Sequence, residues 1–319
     1  MTPRDSTIDT IDCRYREPGR AAAYLIAEPG HAAFVDNNTA HAAPLLLDAL
    51  QRAGMTPEQV EALIITHVHL DHAGGTSALL GACPNAVVLC HPNAARHLID
   101  PARLTLSARQ VYGEETFARL YGEIHPIPES RVRTVEDMEP FRLGGRTLTF
   151  LHTPGHAKHH VCMHDSGENA VFTGDTFGVA YAVHQMGPRP FLLCSTAPTD
   201  FDPAAARRSI ERILATGADC VYLSHFGSLD NPRAAGEDLM DDIARMEAIL
   251  EDAASASILS GEALVSFCQE RVRDAVRTHL EGCGIAPQGE AMDALLPDIQ
   301  VNGQGLAVAA ERRRRAAGG

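Results

Sequence analysis

The chain has 319 residues, of which 45% are hydrophobic and 21% charged, ordinary globular values that exclude a disordered chain and a membrane bundle. Its 41 acidic against 27 basic side chains leave a formal charge of −14, a field that repels phosphate backbones and anionic bilayers, so neither nucleic acid nor membrane is an expected partner. The N-terminal MTPRDSTIDT lacks a signal-type apolar stretch and no run approaches the roughly 18 apolar residues of a membrane span, so a cytoplasmic location is expected.

Short apolar runs at 22–27 and 32–36, separated by a Glu-Pro-Gly-His turn, predict two strands. Apolar positions at Leu45, Leu46, Ala49 and Leu50 predict a helix over 39–53 that stops at Gly54. The β-branched run 61–66 predicts a strand that delivers the chain to a histidine cluster. A helix near Gly74, a strand over 86–90, a helix from Pro92 and a weakly patterned helical stretch over 101–121 follow. Alternation over 132–150 around Gly144 and Gly145 reads as a hairpin, and further strands are expected at 147–151, 161–164 and 170–172. Residues 203–215 begin with Pro203 in the first turn of a predicted helix, and 220–223 form a strand leading to Ser224 and His225.

Beyond about Pro232 the spacing of Leu239, Ile243, Met246, Ile249 and Leu250 is helical, with no strand pattern over 233–281. The chain therefore divides into a catalytic domain, 1–232, and a helical extension, 233–319, that serves as a cap or a homodimer contact. The terminal ERRRRAAGG is read as a solvated tail. The eight cysteines have no CxxC spacing and read as reduced core thiols.

Sixteen histidines are the outlier of the composition, and they concentrate between His67 and His164. In THVHLDHAGG, on a turn after a strand, His67 and His69 can converge on one cation while Asp71 and His72 project toward a second. TPGH supplies His156, FTGDTFG supplies Asp175 and YLSHFG supplies His225, each read at a strand-to-loop junction. Seven ligands suit two four- or five-coordinate ions that share a carboxylate and a water. His152, His159, His160 and His164 read as supports for the ligating rings, whereas isolated histidines such as His31, His91, His97 and His279 read as structural.

The order HxHxDH, H, D, H resembles the metallo-β-lactamase-fold superfamily over about residues 20–230. The resemblance implies an α/β fold, a four-layer αββα sandwich with the metal site along one edge of the two sheets. It implies that His67, His69 and His156 hold one metal, that Asp71, His72 and His225 hold the other, and that Asp175 bridges. Asp175 stands where true β-lactamases of this fold carry Cys or Ser, which disfavours antibiotic hydrolysis. The stretch TPGHAKHH…FTGDTFG is similar to hydroxyacylglutathione hydrolases, lactonases and persulfide dioxygenases, but His225 is followed by FGSLDNP rather than a CGHEY-like motif, which disfavours glutathione recognition.

The function expected is dinuclear metal-dependent hydrolysis of a small ester, thioester or lactone by a bridging hydroxide, with zinc ahead of iron and manganese. A non-haem iron oxidoreductase or oxygen-binding protein on the same fold is the alternative. Asp71 is the candidate to orient the nucleophile and shuttle a proton. Tyr181 and Tyr222 are candidates to assist the oxyanion, with plain packing as their other reading. The stretch 177–199 is read as a pocket-lining loop, with a dimer contact as its alternative.

Overall fold

The computed structural model describes residues 7–196 and 200–317, so the end of the expected pocket loop and the last two residues of the arginine tail lie outside the described residues. Two six-stranded sheets carry the fold. The first runs in spatial order β1 (Thr7–Asp12), β2 (Ala22–Glu28), β3 (His31–Val35), β4 (Val60–Ile64), β5 (Val87–Cys90) and β6 (Val132–Thr134). It is antiparallel from β1 to β3 and parallel from β3 to β6. The second comprises β7 (Pro140–Leu143), β8 (Arg146–His152), β9 (Val161–Asp165), β10 (Ala170–Val179), β11 (Cys220–His225) and β12 (Gly227–Asp230), neighbours in chain order. The β7–β8 turn falls on Gly144 and Gly145, as the hairpin pattern predicts.

Strand β2 is buried along its whole length because both of its faces are covered. Ala22, Tyr24 and Ile26 join the core shared by the two sheets, which also holds Phe150, Met163, Phe172 and Tyr222. Ala23, Leu25 and Ala27 face the opposite way. There they meet Leu46 and Leu50 of α1 (Ala43–Arg52), Leu79 and Leu80 of α3 (Thr76–Ala82) and Leu98 of α4 (Pro92–Ile99). The short α2 (Leu70–Ala73) precedes α3. The 101–121 stretch forms α5 (Ala102–Tyr112) and α6 (Glu114–Tyr121), and Phe117 and Tyr121 of α6 pack with Leu70. Buried Arg146 joins Glu28 at 2.7 Å and Asp165 at 2.7 Å.

Two compact units are distinguished. One contains the chain up to His152, His159–Gly174 and Ala218–Ser228; the other contains Thr153–Lys158, Asp175–Gly217 and Leu229–Gly319. The second unit thus gathers, beside the helical extension, two stretches expected in the catalytic domain. Its helices are α7 (Pro203–Leu214), α8 (Pro232–Ser255), α9 (Gly261–Gly282), α10 (Glu290–Asp293) and α11 (Leu296–Ala317). In α8 the buried residues include Leu239, Ile243, Met246, Ile249 and Leu250, the stripe read from the sequence. Among the described residues no helix is long and apolar enough to cross a membrane.

Candidate metal centre

In the first unit, β4 ends at Ile64 and the chain passes through Thr66, His67 and His69 into α2, whose first turn carries Asp71 and whose last carries His72. The segment after β3 clamps this turn: Asn37 N–H donates to the His72 carbonyl at 2.9 Å, and Asn38 Nδ2 donates to the Asp71 carbonyl at 2.8 Å. Gly75 permits the approach, since a Cβ there would lie 2.6 Å from the carbonyl oxygens of both Asn37 and Thr39.

Asp36, which is 1% exposed, organises the site from below. Its carboxylate accepts from Thr66 N–H at 2.9 Å, Thr66 Oγ1 at 3.0 Å, Ser224 Oγ at 2.8 Å and His72 Nδ1 at 2.9 Å. With Nδ1–H committed to Asp36, His72 presents the lone pair of Nε2. His225 at the end of β11 is set the same way, its Nδ1 donating to the Arg20 carbonyl at 2.7 Å. The two Nε2 atoms lie 4.0 Å and 3.6 Å from Asp71 Oδ2, and one ligand atom from each residue lies within 4.8 Å of the others. Two imidazole nitrogens and a carboxylate oxygen, with each ring oriented through its other nitrogen, form a donor set that fits a divalent transition-metal cation.

His67 and His69 stand beside this group. His67 Nε2 faces His69 Nδ1 at 2.9 Å, while His67 Nδ1 is 3.1 Å from Thr66 Oγ1. The ring of buried His160 stacks on His67 with centroids 4.9 Å apart. Gly174 (φ +50°) leaves room for that ring, because a Cβ there would meet His160 Nε2 at 2.5 Å. His152 Nε2 faces the Val135 carbonyl at 3.0 Å and His164 Nε2 faces Asn169 Oδ1 in the β9–β10 turn at 3.0 Å, so neither of these contacts reaches a ligating ring.

In the second unit, His156 Nε2 lies 3.4 Å from Asp175 Oδ2, and His156 Nδ1 lies 3.1 Å from the Ser195 carbonyl. This again turns Nε2 toward the carboxylate. Asp175 departs from the strand-to-loop expectation. It lies inside β10, a ten-residue, wholly buried strand whose GDTFG segment was expected as a turn. Burial of every residue from Ala170 to Val179 outweighs the turn preference of Gly174 and Asp175.

The two phenols are engaged elsewhere. Tyr222 donates to Glu168 Oε2 at 2.8 Å in the β9–β10 turn, and its ring stacks on Phe172. Burial, reinforced by the Glu168 hydrogen bond and charge, holds its ionisation above the ordinary tyrosine range. The Tyr181 hydroxyl lies 3.3 and 3.4 Å from the two oxygens of Asp298. Asp36 and the carbonyls of Arg20 and Ser195 are the functional groups that sequence reasoning misses. Asp36, closing a buried strand before Asn37-Asn38-Thr39, was the one sequence signal available.

The family model described as the metallo-beta-lactamase superfamily matches residues 16–225. A metallo-beta-lactamase fold-containing protein of Sulfurisphaera tokodaii is 27% identical over 194 residues, 60% of this chain and 69% of that one. A hydroxyacylglutathione hydrolase of Aeromonas hydrophila is 27% identical over 214 residues, 66% of this chain but 63% of the enzyme's own length. Among solved structures, an archaeal metallo-beta-lactamase superfamily protein from Sulfolobus tokodaii superposes with a TM-score of 0.64 at 22% identity, covering 95% of this chain and 99% of that one.

Proposed function

The chain belongs to the metallo-beta-lactamase superfamily, and from that premise we propose that it is a metal-dependent hydrolase of small esters, thioesters or lactones. The observation that carries the reading is the Asp71, His72 and His225 group, in which both rings present Nε2 and are held through Nδ1. We assign zinc to the site: as the family resemblance implies, His67, His69 and His156 would hold one cation and Asp71, His72 and His225 the other, with Asp175 available as a shared carboxylate.

When bound, such a pair lowers the pKa of water toward neutrality and offers a Lewis acid to a carbonyl oxygen. Asp71 is the group to move the proton. Its Oδ2 belongs to the ligand cluster and its side chain is 26% exposed, more open than His72 or His225, so Oδ1 receives the proton that leaves water and returns it to the departing alcohol or thiol. Tyr181 and Tyr222 take no part in this scheme.

The likeness to a hydroxyacylglutathione hydrolase places acyl-glutathione thioesters on the substrate panel. The FGSLDNP sequence after His225 places lactones and thioesters without glutathione beside them. The test is metal analysis of the full chain purified without added metal, followed by that panel. Two zinc ions at the hydrolytic centre and hydrolysis, both reduced in His156→Ala and Asp175→Ala proteins, are expected. Full metal content in those variants overturns the ligand assignment. Two irons with a near-ultraviolet charge-transfer band and oxygen-dependent turnover overturn the hydrolase reading in favour of the oxidoreductase.

A further inference from the structure

The helical part of the second unit contains another set of convergent ligands. Asp238 and Asp242 sit one turn apart on α8, and His279 and Cys283 sit one turn apart at the end of α9. His279 Nε2 lies 2.8 Å from Asp238 Oδ1, and Cys283 Sγ lies 3.7 Å from the same oxygen. One ligand atom each from Asp238, His279 and Cys283 lies within 4.8 Å of the others, with His279 and Cys283 each 2% exposed. We propose that Asp238, His279 and Cys283 form a structural site for one zinc-type divalent cation, which clips α8 to α9.

The surrounding hydrogen bonds hold these ligands in place. Asp238 Oδ2 accepts from Leu192 N–H at 2.8 Å, leaving Oδ1 turned inward. His279 Nδ1 lies 3.3 Å from Asp242 Oδ1, and Asp242 Oδ2 accepts from Cys194 N–H at 2.8 Å. A carboxylate behind the far nitrogen of a ligating imidazole is the usual support for a zinc-bound histidine. The Pro190 carbonyl, 3.4 Å from Cys283 Sγ, is the nearby backbone oxygen for a fourth position. Tetrahedral bonds of ~2.0 Å to nitrogen and oxygen and ~2.3 Å to sulfur require the His279–Asp238 separation to widen by only about half an ångström.

Binding one divalent cation requires a thiolate at Cys283, whose proton leaves to solvent, and an Nε2 lone pair at His279, with the ring proton carried on Nδ1 toward Asp242 Oδ1. Nothing is oxidised or reduced.

Cobalt(II) loading of the full-length protein is the test. The ligands proposed for the hydrolytic centre contain no sulfur, so a near-ultraviolet sulfur-to-cobalt charge-transfer band reports only on a thiolate site. The expected result is a band in the wild type that disappears in Cys283→Ser, together with the loss of one cobalt per chain beyond those held at the hydrolytic centre. No band in the wild type, or a band unchanged in Cys283→Ser, overturns the proposal. Should Cys283→Ser fail to fold, Asp238→Asn decides, because its amide oxygen can still accept from Leu192 N–H. A tenfold or greater loss of cobalt retention supports the site, and unchanged retention overturns it. Asp175→Ala leaves the sulfur band intact whatever it does to hydrolysis, so failure here and failure of the hydrolase reading are separable.

Discussion

His72 Nδ1 donates to Asp36 Oδ2 at 2.9 Å, both side chains being 1% exposed, so the aim of one imidazole is set by a carboxylate 36 residues earlier in the chain. Asp36→Ala would strip an acceptor from His72, Thr66 and Ser224 together. Each buried donor left unpaired costs about 1–3 kcal/mol. A loss of more than 3 kcal/mol in urea denaturation is expected. Asp36→Asn, which keeps the shape, should lower metal affinity by about 10- to 100-fold in a chelator competition. Unaltered affinity would remove Asp36 from the site.

Arg146 binds Glu28 and Asp165 in the interior, all three being at least nine-tenths buried. Arg146→Met would leave two buried carboxylates with no cation between them. Breaking a buried pair of this kind costs about 3–5 kcal/mol, read as a lowered denaturation midpoint. Replacing Glu28 and Asp165 by Gln and Asn in the same chain should recover part of the loss.

Gly75 faces two carbonyl oxygens at 2.6 Å from where its Cβ would stand. Backbone atoms cannot yield as the end of a side chain does, so Gly75→Ala should push α2 and α3 away from the 37–39 segment. A destabilisation of about 1–3 kcal/mol is expected, with a lower metal content than the wild type. Gly81→Ala, where nothing lies within 4 Å of the new Cβ, serves as the control.

Burial and the nearby His152 push His91 down from 6.5 to about 4. The folded protein therefore keeps His91 neutral in a range where the unfolded chain takes up a proton. Its contribution to stability is complete above pH 6.5 and declines as the pH falls toward 4. His91 Nδ1 accepts from Asn93 N–H at 2.9 Å at the start of α4. His91→Asn preserves an acceptor at that position, and its thermal midpoint should fall less steeply than the wild type's between pH 6.5 and 4.

The legibility of this chain follows burial and sequence distance. Strands β2, β4 and β11 were readable because burial on both faces makes them continuous apolar runs. The polar alternation of Thr7–Asp12 concealed β1, and the short Gly227–Asp230 concealed β12. Local pattern misread Asp175 as a turn residue, because only the tertiary burial of β10 reveals a strand there. The histidine and aspartate order supplies the candidate donors but not what aims them. Asp36, the Arg20 carbonyl and the Ser195 carbonyl reach their rings across 36, 205 and 39 residues. Likewise His279 reads as an isolated residue until the packing of α9 on α8 sets it beside Asp238.

Asp36 also has a consequence for the order of events during folding. It draws together Thr66 from the end of β4, His72 from α2 and Ser224 from β11, the last across 188 residues of chain. Contacts of such long loop closure are paid for late in folding. Until the two sheets have closed on one another, His72 has no fixed tautomer and no fixed direction. The nascent chain therefore offers a cation scattered imidazoles rather than a template, and metal uptake at the proposed Asp71, His72 and His225 site would be a maturation step that follows closure of the sheets.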